Sequence, residues 1–472
     1  MGITSRICVL GLILTVAVLV SCAPSLSSQV ADVGTLSGTT PLPRLREGSV
    51  SPNIDPTVEK MLDETVDVDA AVRIAILNNR ELRAELRELG VPASRVTTAG
   101  LIANPTFEVE FLPELDSRYE LRAEYDLASL ILAPLGRAAA MDDLEAARLR
   151  AAGAVVQLGY QVRTRFYALQ AAMQRHQLAQ LTLEAQAAAR EAAQALLEAG
   201  NIRSLDAASL IAAHERSRVS VATMELEVAE RREELQRTLG LHGEYTRWTI
   251  AGSLPQAPAE VPVKEDLERD ALQANLDLRA SRKQLDALAK QSGFVRTRAW
   301  LPELAADVHA LRVSDDAEEE GDAWRWGAGF SIQVPLFDRG QGELRGIESQ
   351  FDATLERYQG LAIDVRSAAR DARNRVVSAH ARARRYEQVI VPAQRAVLEQ
   401  TLLQYNAMQL GIFELLQARR EVLDVELAYV DTLRDYWTAA AEVQALRQGR
   451  LVRLEPSQRA DTVGTSSTVE GH

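Results

Sequence analysis

The stretch TFEVEFLPELDSRYELRAEYDL, Thr106 to Leu127, breaks the pattern of the chain around it. Apolar and charged residues alternate one by one on either side of LPELDS. Phe107, Val109 and Phe111 share one face, and Glu108 and Glu110 the other. Beyond the break Tyr119, Leu121, Ala123, Tyr125 and Leu127 oppose Glu120, Arg122, Glu124 and Asp126. A period of two marks a strand with one apolar and one wet face, so the stretch predicts a two-stranded ribbon. The flanking sequence is rich in Ala, Leu and Arg and has the character of long helix.

Outward from the ribbon, the chain is written twice. AILNNRELRA (Ala75–Ala84) returns as ALQANLDLRA (Ala271–Ala280), 196 positions on, with Asn79 over Asn275. Each copy runs helix, alternating ribbon, very long helix, turn, helix. The second ribbon is LAADVHALRV, an acidic insert, then AWRWGAGFSIQV. In its second strand Trp324, Trp326, Ala328, Phe330, Ile332 and Val334 alternate with Arg325, Gly327, Gly329, Ser331 and Gln333. A period near 200 residues is too long for a solenoid and indicates duplication.

The first repeat is assigned to 66–240, with a helix over Asp69–Ala99, a β-hairpin over 104–134, a long helix over 136–199 and a helix over 204–239. The second is assigned to 267–447, with a hairpin over 301–336, a long helix over 341–410 kinked at Pro392, and a helix over 412–447. A linker over 241–266 joins them, and a tail occupies 448–472. At 1.5 Å per residue the first long helix measures about 95 Å and needs neighbours along its whole length.

Residues 1–21 carry Arg6, an apolar run from Ile7 to Val20 and a small-residue boundary, the form of a secretory signal rather than a membrane span. LVSC at Leu19–Cys22 resembles a bacterial lipobox, which implies lipidation of Cys22. Ala23 after it favours the outer membrane. Residues 22–65, rich in Ser, Thr, Pro and Gly, read as an extended lipid-anchored tether. Once the signal is removed, Cys22 is the sole cysteine, so an internal disulfide is excluded. A net charge of −13 argues against nucleic acid as partner.

Ribbon strands of this length cross a tilted hydrocarbon layer of roughly 25–30 Å. Phe107, Phe111, Tyr119, Tyr125, Trp324 and Trp326 suit a lipid-facing band. Glu108, Glu110, Glu120, Arg122, Glu124, Asp126 and Arg325 suit a water-filled lumen. A spanning sheet must close on itself, and one chain supplies only four strands. Several copies must therefore share one barrel, unless the hairpins simply pack their apolar faces on the helices.

Ala75-Ile-Leu-Asn-Asn-Arg-Glu-Leu, Ala103-Asn-Pro-Thr-Phe-Glu, Val334-Pro-Leu-Phe-Asp-Arg-Gly-Gln-Gly and the turn segments AGNIRSLDAASL and MQLGIFELLQARREVLD, in duplicated order, resemble the TolC-like outer-membrane efflux proteins across 65–447. NPTFEVEF and VPLFDRGQG are most similar to the CzcC-like cation-efflux branch. The resemblance implies a mainly α fold with a β-barrel portion. In it a homotrimer forms a twelve-stranded outer-membrane barrel continued by a periplasmic helical tunnel of about 100 Å. It implies a periplasmic adaptor and an inner-membrane pump, usually of the resistance-nodulation-division type. It puts the periplasmic mouth at Gly200–Asp206 and Met408–Glu414, with Asp206, Tyr405, Glu414 and Gln417 as gate residues and Gly200, Asn201, Leu410 and Gly411 as adaptor-contact turns. The family more often has Asp at 414 and Gly at 408.

Enzyme chemistry has no carrier in the sequence. The six histidines are scattered without metal spacing, and phosphate-loop, Cys–His and catalytic-serine motifs are absent, so no cofactor is expected. Asp315, Asp316 and Glu318–Glu320 read as a solvated outer loop tip. The resulting expectation is a passive exit duct of a tripartite efflux system for divalent cations or drugs, anchored in the outer membrane. The alternatives are the outer channel of a type I protein secretion system and a periplasmic scaffold that forms no channel.

Overall fold

The computed structural model describes residues 25–45, 54–112, 118–261, 266–301, 303–313 and 323–452. The expected signal peptide, Cys22 and the acidic run at 315–320 lie outside them. The elements in order are α1 (Leu26–Ser37), α2 (Pro56–Leu62), α3 (Val68–Asn78), α4 (Arg80–Glu88), α5 (Gly90–Gly100), β1 (Thr106–Leu112), β2 (Arg118–Asp126), α6 (Ala128–Glu198) and α7 (Ser204–Leu239). Then follow α8 (Leu267–Ala274), α9 (Leu276–Trp300), β3 (Glu303–Val313), β4 (Ala323–Gln333), α10 (Gln341–Arg385), a π-helical turn (Tyr386–Ile390), α11 (Val391–Asn406) and α12 (Ile412–Arg447).

The chain divides into two compact units. One gathers the start of the chain through Val33, Glu85–Ala151 and Leu278–Leu361; the other gathers Gly34–Ala84, Ala152–Asp277 and Ala362 onward. In the first unit all four strands form one antiparallel sheet in the order β1-β2-β3-β4. Two small cores support it, Ala93, Val96 and Leu144 in one and Leu288, Val295 and Ile347 in the other. Lys283 and Lys290 of α9 close on Asp142 of α6. Burial works to raise the Asp142 pKa, but the two lysines outweigh it and hold the carboxyl below its ordinary value.

The second unit is packed on small residues. Val365, Ala369, Ala372, Val376, Ala379 and Ala383, spaced alternately by four and three, are all buried along α10, the knob positions of a helix lying along its neighbours. The duplication is visible in its caps. Gly240 ends α7 with φ +71, and the Asn78 carbonyl oxygen stands 2.9 Å from where a Cβ would sit. Gly449 does the same after α12 with φ +88, against the carbonyl of Ala274. Asn78 and Asn79 then donate to the last carbonyls of α7 and the glycine after it, at 2.7 to 3.1 Å. Linker residues Trp248, Ile250, Leu254 and Ala257 are buried. The Arg232 guanidinium lies over the Trp248 ring at 4.8 Å.

Several expected boundaries are corrected. The tether is not extended throughout. Leu26, Val30 and Val33 fall on one face of α1 and are buried, as are Leu45, Ile54 and Val58 further on. Arg148 of α6 holds α1 through Gln29 at 2.6 Å and Asp32 at 3.3 Å. The helix expected over 69–99 is three helices, interrupted at Asn79, whose side chain accepts the Leu82 amide at 2.9 Å and caps α4. The first hairpin ends at Asp126, and the long helix starts at Ala128, eight residues before the expected 136. Asp126 Oδ1 accepts the Ala128 amide at 2.9 Å, so this carboxylate caps α6.

The second long helix stops at Asn406 and is interrupted by the π turn. Pro392 has no N–H for the carbonyl of Gln388, and its ring crowds that carbonyl. A widened turn relieves both, and the buried stripe resumes at Val391, eight rather than seven residues after Ala383. The tail is fixed in its first residues, where Arg450 Nη1 bonds both Asp277 oxygens at 2.8 and 2.9 Å.

Candidate functional site

Strand register sorts the sheet into two faces. Phe107, Ala123, Val308 and Ala328 form one cross-sheet row, and Phe111, Tyr119, Arg312 and Trp324 another. Val109, Leu121, Ala310 and Trp326 lie between them. Tyr125, Ala306 and Phe330 continue the face toward the helices. Phe107 is 75% exposed, Trp326 76% and Phe330 74%, so none of the described residues covers the large side chains of this apolar surface. All six residues expected to face lipid share it. Among the described residues Arg312 is its one cation. It sits near the loop end between Tyr119 and Trp324.

The opposite face carries the charges. Glu108, Arg122, His309 and Gly327 are in one row, and Glu110, Glu120, Leu311 and Arg325 in the next. Arg122 bonds Glu120 at 3.0 Å and approaches Glu108 at 4.0 Å. Asp307 and His309 belong to this face too. The alternation of β3 would have placed them there, yet they are missing from the expected lumen residues. Asp126 shares the face but is occupied as the α6 cap.

The two helix turns share one geometry. Asn201 N bonds Leu196 O at 2.8 Å, and Gly200 N bonds Leu197 O at 3.0 Å. In the second turn Gln409 N bonds Gln404 O at 2.9 Å, and Met408 N bonds Tyr405 O at 2.9 Å. Both are the six-to-one and five-to-two pairs that stop a helix at a left-handed residue. That residue is Gly200 at φ +72 and Met408 at φ 59. A non-glycine there costs about 1 kcal/mol, and Met408 is 95% exposed, so its side chain returns nothing within the chain. Met408→Gly is accordingly expected to raise the denaturation midpoint of the purified protein by the equivalent of about 1 kcal/mol, and Gly200→Ala to lower it.

Three residues past each left-handed position comes the helix N-cap, Arg203 or Gly411. Three further lie Asp206 and Glu414. Arg203 grips both oxygens of Asp206, Nε to Oδ2 at 2.9 Å and a terminal nitrogen to Oδ1 at 3.1 Å. That hydrogen bonding holds Asp206 below the usual carboxylate range. Arg203 was not anticipated, although a cation three residues before an acid at a helix start is a readable signal. Glu414 folds back over its own cap, with Oε2 2.9 Å from the place of a Gly411 Cβ. Glu414 and Gln417 line one groove of α12 with Phe413 and Glu421, closed on other sides by Gln186 of α6 and Leu210 of α7. Gln417 donates to Glu421 at 3.0 Å. Asp206 and Tyr405 do not line it. Leu410 is half-buried; Asn201 and Gly411 are exposed.

Among the described residues, no group of His, Cys, Asp and Glu is arranged to hold a metal, and no helix is long and apolar enough to cross a membrane.

A twice-repeated hairpin and long-helix unit gives the chain one amphipathic four-stranded sheet. Residues 267–447 match the family described as Outer membrane efflux protein. The cobalt-zinc-cadmium resistance protein CzcC of Cupriavidus metallidurans is 25% identical over 393 residues, covering 80% of this chain and 89% of CzcC. Among solved structures, CusC superposes with a TM-score of 0.66 at 17% identity, covering 86% of this chain and 97% of CusC. A membrane protein from Pseudomonas aeruginosa does so with 0.66 at 18%, covering 86% and 99%. The second repeat thus matches the outer membrane efflux protein family, and the chain has the TolC-like fold.

Proposed function

We propose that three copies of this chain share one outer-membrane barrel and form the exit duct of a tripartite efflux system. The observation that carries this reading is the sheet, apolar on one face, charged on the other, and unpaired at the outer edges of β1 and β4. In hydrocarbon every backbone group must be paired. Joining β4 of one copy to β1 of the next satisfies both edges, and four strands from each of three copies make a twelve-stranded barrel. The duct has no energy source of its own. A periplasmic adaptor and an inner-membrane pump of the resistance-nodulation-division type deliver its cargo. Cys22 carries the lipid that tethers the chain to the outer membrane. The kinship with CzcC supports divalent cations as cargo.

A deletion strain tests the reading. Sensitivity to zinc, cobalt or cadmium, restored by the wild-type gene, is the expected result. Unchanged tolerance to these metals and to dyes and detergents would refute efflux. At the mouth, Asp206, Tyr405, Glu414 and Gln417 form the closure, and the adaptor meets the turns at Gly200, Asn201, Leu410 and Gly411. Glu414→Ala combined with Asp206→Ala is expected to loosen the closure and sensitise cells to vancomycin. Wild-type resistance in cells that express the variant would remove these residues from the gate.

A further inference from the structure

On the charged face of the sheet, β4 presents two bare positions. Gly327 stands in register with His309 of β3, and Gly329 with Asp307. Both β3 side chains lie down over those glycines. A Cβ on Gly327 would overlap Nε2 of His309, and one on Gly329 would overlap Oδ1 of Asp307. Neither glycine has a left-handed backbone, so what these positions require is the missing side chain. Glycine inside a strand often marks such a close approach.

The lean has an electrostatic cause. On its other side Asp307 is in register with Glu124 of β2, and like charges directly opposed destabilise a sheet. Turning toward β4 takes the Asp307 carboxylate away from Glu124 and onto His309, Nδ1 to Oδ2 at 3.0 Å. His309 in turn is in register with Arg122, which is held toward Glu120 and Glu108. The space over the glycines is thus the one direction that relieves both side chains, and they end up 35% and 20% exposed.

We propose that Gly327 and Gly329 set the aperture of the channel. By leaving bare backbone on β4 they let an imidazole and a carboxylate from each copy lie against the wall instead of projecting toward the axis. The proposal rests on the reading above that the charged face lines a water-filled passage. The solutes concerned are hydrated cations and small polar molecules, for which the free cross-section and the position of the fixed charges decide passage. A methyl group at either glycine lifts His309 or Asp307 off the wall, and symmetry repeats the obstruction in every copy.

Single-channel conductance of the purified protein in planar bilayers tests this, with neutral polyethylene glycols of graded size added from the outer side as rulers of the barrel. Gly327→Ala and Gly329→Ala are each expected to lower conductance and to exclude polymers that enter the wild type. Gly327→Ala with His309→Ala is expected to restore both readings, which a general loss of stability would not allow. Wild-type conductance and cut-off in both single variants would overturn the proposal while leaving the duct intact. A deficit that persists in the double variant would also overturn it. If Gly327→Ala fails to assemble, the double variant must still assemble and conduct, because the overlap is gone; its failure counts against the proposal too. A protein that conducts nothing even when its mouth is loosened by Glu414→Ala with Asp206→Ala would overturn the duct reading and this inference together.

Discussion

Phe107→Arg is expected to yield no heat-modifiable trimer in outer-membrane fractions, whereas Glu110→Gln, three residues along the same strand, is expected to assemble normally. Phe107 lies in the row with Ala123, Val308 and Ala328, midway along both long strands of the second hairpin. If the apolar face meets lipid, this row is at the bilayer midplane, where an arginine costs roughly 2–4 kcal/mol per site. In the proposed trimer, threefold repetition multiplies the penalty, because no copy can close the barrel without carrying it. The side chain cannot escape by snorkelling, since half a membrane separates it from either interface. Glu110 points the other way and is directly opposed to Glu120, so neutralising it removes a repulsion from a wet surface. Gel mobility before and after boiling reads both outcomes. A normal trimer from Phe107→Arg would mean that the 75% exposed face of Phe107 does not meet hydrocarbon.

The faces of the sheet were readable from the sequence because the period of two repeats the same decision many times. Each strand adds several independent votes, and one irregular residue such as Arg312 cannot reverse them. The turn at Gly200 was readable for a related reason, since glycine is the residue a left-handed helix stop favours. Met408 obscures the second turn by occupying that place without the usual residue. What the sequence hid depends on single side chains or on distant partners. The α1 helix lies in a stretch whose Ser, Thr and Gly content suggested an extended chain, and only Leu26, Val30 and Val33 together reveal its buried face. Asp126 reads as one more polar member of a strand until Ala128 and Ser129 turn helical beneath it. Pro392 announced a disturbance but not its form. Whether a proline kinks a helix or widens one turn depends on where the buried stripe must resume. The Arg203–Asp206 pair changes the electrostatics of a residue chosen from register alone, and the pairing of β2 with β3 joins segments about 180 residues apart in the chain, which no local pattern encodes.

Arg375→Ala is expected to destabilise the helical unit by about 3–5 kcal/mol at neutral pH, the cost of stranding a buried charge. Glu442 of α12 has a side chain only 4% exposed, and Arg375 of α10 reaches it from the surface. The guanidinium binds both oxygens, at 2.5 Å to Oε1 and 3.1 Å to Oε2. Even so, burial dominates and pushes the Glu442 pKa above its ordinary value, with Arg375 pulling it back. The sign of the pH dependence follows. A carboxyl whose pKa is raised in the folded state binds more protons folded than unfolded, so stability falls as pH rises from about 4.5 through the raised value. Removing Arg375 removes the restraint, raises that pKa further and widens the window. The deficit of Arg375→Ala should therefore be larger at pH 7.5 than at pH 5, because lower pH favours the protonated, neutral form of the buried acid. Glu442→Gln in the Arg375→Ala background should recover more of the loss at pH 7.5 than at pH 5. Urea midpoints of the purified protein at the two pH values measure this. An equal deficit at both would mean that Arg375 acts through packing of its aliphatic stem rather than through charge.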